Sequence, residues 1–162
     1  MTVEIREARP EEYAEAGVVT ATAYREFFSE TEFASYLDEI ADVAGRAPRT
    51  TILVAVDDGR IVGSATLELD GRTDDEDGPL AADEAHIRML GVHPDARGAG
   101  IGKHLMSACE DRAREAGRAR MSLKTTTLMR AAREMYSGLG YEPTEDRVYP
   151  DGLVLLGYEK RL

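Results

Sequence analysis

A single cysteine, Cys109, in 162 residues excludes an intramolecular disulfide and suits a reducing compartment. Histidine is scarce as well: His86, His93 and His104 lack the clustered spacing of a zinc or iron site, so no metal is expected. Basic residues are outnumbered, with 20 Lys and Arg against 31 Asp and Glu and a formal net charge of −11. Binding a nucleic-acid backbone requires clustered cations that release counterions, so no nucleic-acid partner is expected. No stretch is apolar enough to span a membrane, and Met1-Thr2-Val3-Glu4-Ile5-Arg6 is too polar for a signal peptide. A cytoplasmic location with no membrane partner is the expectation.

What is present is enough apolar residue, 43%, for one core, and residues 1–162 read as a single domain without repeats. Residues 3–8 alternate as a first strand. Pro10, Glu11 and Glu12 open a helix reaching about Phe27, since proline fits a first turn and acids suit the positive dipole end. Ser29-Glu30-Thr31-Glu32 has capping-box spacing ahead of Phe33, Tyr36, Leu37, Ile40 and Ala44, a second helical face stopped by Gly45 and Pro48. Strands over 51–56 and 61–69 are joined across Asp58-Gly59, a tight-hairpin pair. Residues 70–83 form the one long irregular connection, with Asp74, Asp75, Glu76 and Asp77 as a solvated acidic run.

A strand over 85–92 follows, then a helix striped by Ile101, Leu105, Ala108, Cys109, Ala113 and Ala116 and capped by Gly117. Cys109 belongs to this apolar stripe and reads as core. Arg120 to Thr125 is a strand. Leu128, Ala131, Ala132, Met135 and Leu139 mark a last helix ended by Gly138 and Gly140, and residues 141–148 and 152–160 close as an antiparallel pair. The order βααββ-βαβα-ββ contains one right-handed βαβ crossover inside a mixed sheet.

Between the fourth strand and its helix lies Arg97-Gly98-Ala99-Gly100-Ile101-Gly102. A strand, a glycine turn and a helix N-terminus form a phosphate cradle, because unpaired backbone N–H groups converge on one anion. A Rossmann fingerprint needs Gly-x-Gly-x-x-Gly early in a long parallel array; here the spacing is Gly98-x-Gly100-x-Gly102, deep in the chain. A Walker loop needs Gly-Lys-Ser/Thr, but Gly102-Lys103 is followed by His104. Neither nucleotide class fits.

The segment instead resembles motif A of the GNAT superfamily of acyl-CoA-dependent N-acyltransferases, Arg/Gln-x-x-Gly-x-Gly/Ala. Leu90-Gly91-Val92-His93-Pro94-Asp95 is similar to the family's approach to that turn. Ala132-Arg133-Glu134-Met135-Tyr136-Ser137-Gly138-Leu139-Gly140-Tyr141 resembles its Ala-x-x-x-Tyr-x-x-x-Gly-Phe/Tyr. The element order agrees from near Val3 onward. The resemblance implies an α/β fold: a mixed, mostly antiparallel sheet of about seven strands flanked by about four helices, with one splayed parallel βαβ pair. It implies acetyl-CoA as acyl donor, no metal, and transfer of acetyl to a primary amine of a small-molecule or peptide acceptor. A homodimer is compatible with it, because the family's final strands often pair between subunits. A non-catalytic acyl-CoA-binding regulatory module on the same fold is the alternative.

By the same resemblance, Arg97, Gly98, Ala99, Gly100, Ile101, Gly102 and Lys103 hold the coenzyme A pyrophosphate, and Leu90, Gly91 and Val92 pair with the pantetheine amides. Arg97 has a second reading, a salt bridge securing the turn. Gly91 within a strand marks a bulge or a close backbone approach. Met129, Ala132, Arg133 and Tyr136 complete the cofactor side, although relatives often carry asparagine where Met129 stands, so Thr126 or Thr127 would supply that polar contact. Tyr136 is the candidate general acid and the Val92 N–H the candidate oxyanion donor. Alternation places Glu84, His86, Arg88, Leu90 and Val92 on one face, which leaves Glu84 or His86 as candidate general base. The two N-terminal helices and the 70–83 loop are expected to border the acceptor, and an acidic rim there favours a cationic or polyamine-like one.

Overall fold

The computed structural model describes residues 2–28, 30–70, 78–150, 152 and 154–162, without the side chains of residues 30–34. Ser29 and the side chains of Glu30, Thr31, Glu32 and Phe33 therefore lie outside the described residues, as does the acidic run at 74–77. β1 (Val3–Glu7) pairs antiparallel with β2 (Thr51–Asp57), and β2 with β3 (Arg60–Glu68). Asp58 and Gly59 connect β2 to β3 at φ of 50° and 75°, both left-handed as a type I′ hairpin turn requires. β4 (Glu84–Val92) is antiparallel to β3, and β5 (Arg120–Thr126) is parallel to β4. Two short strands, β6 (Glu142–Pro143) and β7 (Arg147–Val148), precede β8 (Val154–Arg161), which pairs antiparallel with β5 and with both of them. The sheet order is β1-β2-β3-β4-β5-β8-β6, with β7 also on β8.

Among the described residues, five α-helices flank the sheet: α1 (Tyr13–Arg25), α2 (Glu30–Ala41), α3 (Val43–Arg46), α4 (Ile101–Glu115) and α5 (Arg130–Gly138). The mixed, mostly antiparallel architecture with one parallel pair is the expected one, and two elements divide. The second helix breaks because the Asp42 carboxylate accepts the Gly45 N–H at 3.0 Å and starts α3. The strand expected over 141–148 splits into β6 and β7 at Pro143, which has no N–H for a ladder.

One sheet face is covered by α4, whose Ile101, Leu105, Cys109 and Ala113 are enclosed against Ala65, Leu67, Ala85, Ile87, Met121 and Leu123. Each such Leu- or Ile-sized burial stabilises by about 1.5–3 kcal/mol. Burial pushes the Cys109 thiol up to about 12, so this cysteine is packing and not a nucleophile. The helices α1, α2 and α3 cover the other face, where Val19 and Val43 meet Ile52 and Val54, and Tyr24, Leu37 and Ile40 meet Met89.

The irregularity of β4 prepares the site. Its parallel pairing with β5 runs only from Glu84 opposite Arg120 to Ile87 opposite Leu123, after which the two strands part. On the other side Thr66 faces Arg88 and Ser64 faces Gly91, so Met89 and Leu90 together oppose Ala65. That is a β-bulge, and Met89 sits in it at φ 51°. The bulge overturns the expected shared face of Glu84, His86, Arg88, Leu90 and Val92. Leu90 belongs to the α4-side cluster with Ala85 and Ile87, Val92 packs against it, and Met89 turns toward α1 and α2. Gly91 is not the bulge but the close approach: a Cβ there would lie 3.1 Å from Ala23 Cβ and 3.3 Å from Thr20 Cγ2 of α1. Gly91→Val is therefore expected to overpack this contact and cost about 1–3 kcal/mol in urea unfolding. An unchanged unfolding midpoint would show that α1 does not depend on the approach.

Candidate active site

Where β4 and β5 part, a cavity of about 300 Å³ opens. Leu90, Gly91 and Val92 form its strand edge, and Ala23, Tyr24 and Phe27 of α1 form one wall. Met129, Ala131, Ala132, Met135 and Tyr136 form the opposite wall, and the glycine turn closes one end. The strand edge carries exposed hydrogen-bonding groups. The His93 N–H donates to Val62 O at 2.8 Å, and peptide groups alternate in direction along a strand. The Val92 N–H and C=O thus face the opened side, where Arg97 Nε reaches Val92 O at 3.3 Å.

The turn puts Gly98 at φ 87° and Gly100 at φ 78°, left-handed conformations that α4 needs in order to start at Ile101. Gly100 is the N-cap residue and no side chain caps the helix, so the first α4 N–H groups lack an intrahelical partner. A Cβ at Gly98 or Gly100 would meet nothing within 4 Å, so the cradle is open. Unpaired donors and the positive end of the helix dipole make it an anion site. Arg97 fastens this turn: its guanidinium pairs with Glu26, donates to Ala23 O at 3.2 Å and lies over the Phe27 ring. The second reading of Arg97, a salt bridge securing the turn, is the geometry observed. Lys103 is exposed at the cavity rim.

On the opposite wall Met129 occupies the N-cap of α5 without capping it, and accepts the Thr125 hydroxyl at its sulfur, 3.6 Å away. The Thr126 hydroxyl is buried and has no hydrogen-bond partner among the described residues. Tyr136 is 6% exposed, and its ring packs against Tyr141 and Tyr158, each at 6.1 Å between centroids. Burial, reinforced by the nearby Cys109 thiol, raises its pKa, so the hydroxyl stays protonated. Across the cavity, burial lifts the Tyr24 hydroxyl well above its ordinary value, and Tyr36 and Tyr136 nearby oppose its ionisation further.

Most residues expected at the cofactor side are brought together here. Ala99 and Arg133 are outside the lining, and Arg133 Nε is buried without a partner among the described residues. Glu84 and His86 also lie outside it, in the paired part of β4. There the Ser122 hydroxyl donates to Glu84 Oε2 at 2.5 Å and lies 2.7 Å from His86 Nδ1. Glu84 is held further by the Ala81 N–H at 3.1 Å and by Arg120 at 3.7 Å. The α1 wall, Tyr24 and Phe27, was missed by the sequence reading; the small residues Gly91 and Ala23, which let α1 approach β4, were the available signal.

A splayed strand edge that ends at an uncapped helix start gives an apolar cleft closed at one end by an anion site. The sequence matches the Acetyltransferase (GNAT) family over residues 11–141, and the chain belongs to that family. The paiA N-acetyltransferase of Thermoplasma acidophilum, in complex with coenzyme A, is similar at a TM-score of 0.77 and 18% identity, with 100% of both chains covered. The structure of yncA from Salmonella typhimurium, with its cofactor acetyl-CoA, gives 0.72 and 21%, covering 100% of this chain and 95% of that one. The ribosomal-protein-S18-alanine N-acetyltransferase of Escherichia coli gives 0.71 and 19%, covering 99% and 94%. No curated protein matches the sequence. Among the described residues, no group of three or more His, Cys, Asp or Glu is placed to hold a metal ion, and no helix is long and apolar enough to cross a membrane.

Proposed function

We propose that the protein transfers the acetyl group of acetyl-CoA to a primary amine by direct attack. The observation that carries this reading is the continuity of three features along one cavity: the uncapped α4 start, the β4 edge at Leu90, Gly91 and Val92, and the side chain of Tyr136 in the opposite wall. The N–H groups of the turn at 98–103 would hold the pyrophosphate, and the edge of Leu90, Gly91 and Val92 would pair with the pantetheine amides. Its apolar walls exclude water around the thioester. The Val92 N–H would receive the oxyanion as the amine nitrogen bonds to the carbonyl carbon. When the C–S bond breaks, Tyr136 would give its proton to the departing thiolate. Because neither Glu84 nor His86 lines the cavity, the proton lost by the amine leaves through water in this reading.

The test is thiol release from acetyl-CoA with a panel of primary amines, after coenzyme A binding is shown by thermal stabilisation. Acceptor-dependent release is expected, together with stabilisation by coenzyme A and none by ATP or NAD. Tight coenzyme A binding without turnover on any amine would favour the non-catalytic module instead.

A further inference from the structure

We infer that the hydroxyl of Tyr24 holds the acceptor: it takes a hydrogen bond from one N–H of the attacking amine, and the need for that N–H restricts the acceptor to primary amines. This rests on the acyl-transfer reading. Tyr24 stands in the last turn of α1, 9% exposed, with its ring stacked on Phe28 at 6.0 Å between centroids and 6° between planes. It clusters with Met89 and Met129 and also lines the cavity. A buried phenol oxygen ordinarily finds a partner. The cations that bear on this one are already taken. Arg88 bonds Tyr36 and lies 3.8 Å from Glu39, while Arg46 donates to Thr66 Oγ1 and to the carbonyls of Glu39 and Ile40. No hydrogen bond among the described residues uses the Tyr24 oxygen, which leaves it for a molecule in the cavity.

Its place suits the acceptor. A pantetheine arm laid along β4 from the turn passes Val92, Gly91 and Leu90 in that order, so the thioester comes to the Leu90 end. Met89, the next residue along, shares its cluster with Tyr24. Tyr136 lines the opposite wall, and its ring is backed by Tyr141 and Tyr158 in the core beneath α4, which closes that side. An amine therefore approaches from the α1 side, past Tyr24.

A hydroxyl oxygen accepts as well as donates. The amine lone pair points at the carbonyl carbon, which leaves the N–H groups to be bound. As the C–N bond forms, the nitrogen gains positive charge and its N–H becomes a stronger donor, so the bond to Tyr24 tightens in the transition state. A primary amine then carries two N–H groups. One bonds Tyr24 and stays in the product amide; the other gives its proton to water. The C–S bond breaks with its electron pair on sulfur, which takes the Tyr136 proton. A secondary amine has a single N–H, which must be lost, and none remains for Tyr24. Tyr24 itself takes no proton: burial keeps the phenol neutral, Tyr36 and Tyr136 oppose its ionisation further, and Arg88 and Arg46 only partly offset this.

The experiment offers spermidine, 2-phenylethylamine, leucinamide and a short peptide with a free N-terminal alanine as acceptors with acetyl-CoA. The N-methyl counterpart of whichever is turned over fastest is compared with it. In Tyr24→Phe, kcat/KM for the primary amine is expected to fall about 30-fold, as loss of a hydrogen bond to a charged group does, with acceptor KM up at least about 5-fold and acetyl-CoA affinity within about 2-fold. The preference for the primary amine over its N-methyl counterpart should shrink about 10-fold in the variant, because only the primary amine loses a bond. A structural role would lower both acceptors alike. Phenylalanine keeps the ring against Phe28 and strands no partner; if it fails to fold, the N-methyl comparison on the unaltered protein decides. An N-methyl amine used as well as the primary one overturns the inference while acyl transfer stands. So does an unchanged preference in the folded variant, or a fall in kcat with acceptor KM unchanged, which would put the hydroxyl on the acyl group. Coenzyme A binding with no turnover of any acceptor removes both.

Discussion

Gly100→Asp is expected to abolish coenzyme A binding, a loss of at least about 100-fold, while the free protein keeps its fold. The two effects separate because Gly100 is a surface-open position at a helix start. A Cβ there meets nothing within 4 Å, so no packing is disturbed. The left-handed φ of 78° strains an aspartate by about 1–2 kcal/mol, less than most residues because its short side chain tolerates that region. A carboxylate at a helix N-terminus also interacts favourably with the dipole, offsetting part of that strain. The same carboxylate occupies the donors and the positive potential that a pyrophosphate needs, and about 2.8 kcal/mol of lost interaction already means 100-fold.

The matched control is Gly117, at the other end of the same helix, with φ 79° and equally open surroundings. Gly117→Asp carries the same backbone strain but puts the acid at the negative end of the dipole. It is expected to lower the melting temperature more than Gly100→Asp and to leave coenzyme A affinity unchanged. Calorimetric titration and thermal melting of the two variants test both halves. Retained affinity in Gly100→Asp would remove the cradle.

The parts of this molecule that are readable from sequence are those set by neighbours in the chain. Alternation marks the strands, the stripe from Ile101 to Ala113 marks α4, and Asp58-Gly59 marks the hairpin, because each pattern encodes its own local geometry. The glycine turn is readable for the same reason: its donors and its left-handed residues lie within six positions. What escaped is set by distant contacts. Nothing local says that Met89 adopts a positive φ; the bulge exists because β3 and β4 pair on both sides of it. Gly91 drew attention as the irregular position, yet its role is to admit α1. The break at Asp42 is a choice between continuing one helix and capping another, and the buried Arg46, which bonds to carbonyls at the end of α2, accompanies the second outcome. With the bulge and α1 in place, Tyr24 and Phe27 come to line the cavity, a wall that no local pattern of the sequence encodes.

Tyr136→Phe separates the chemistry at that donor side from binding. It is expected to lower kcat by about 100-fold, the lower end of what a positioned acid contributes, with acetyl-CoA affinity within about 3-fold of the unaltered protein. The fold should persist, because the ring supplies the contacts to Tyr141 and Tyr158 and no hydrogen bond among the described residues uses the hydroxyl. Phenylalanine therefore leaves no buried donor or acceptor stranded. The pH profile gives the independent readout. An acid is active while protonated, so its loss produces an alkaline fall in rate at its pKa. Burial raises that pKa above the ordinary tyrosine value, which moves the fall upward and leaves kcat flat on the alkaline side up to about pH 10. An alkaline limb near pH 8 that survives in Tyr136→Phe would belong to another group, and an unchanged kcat in the variant would remove Tyr136 as the acid. If kcat falls without any change in acetyl-CoA affinity, the hydroxyl acts in the transition state alone, as a proton donor to a departing thiolate must.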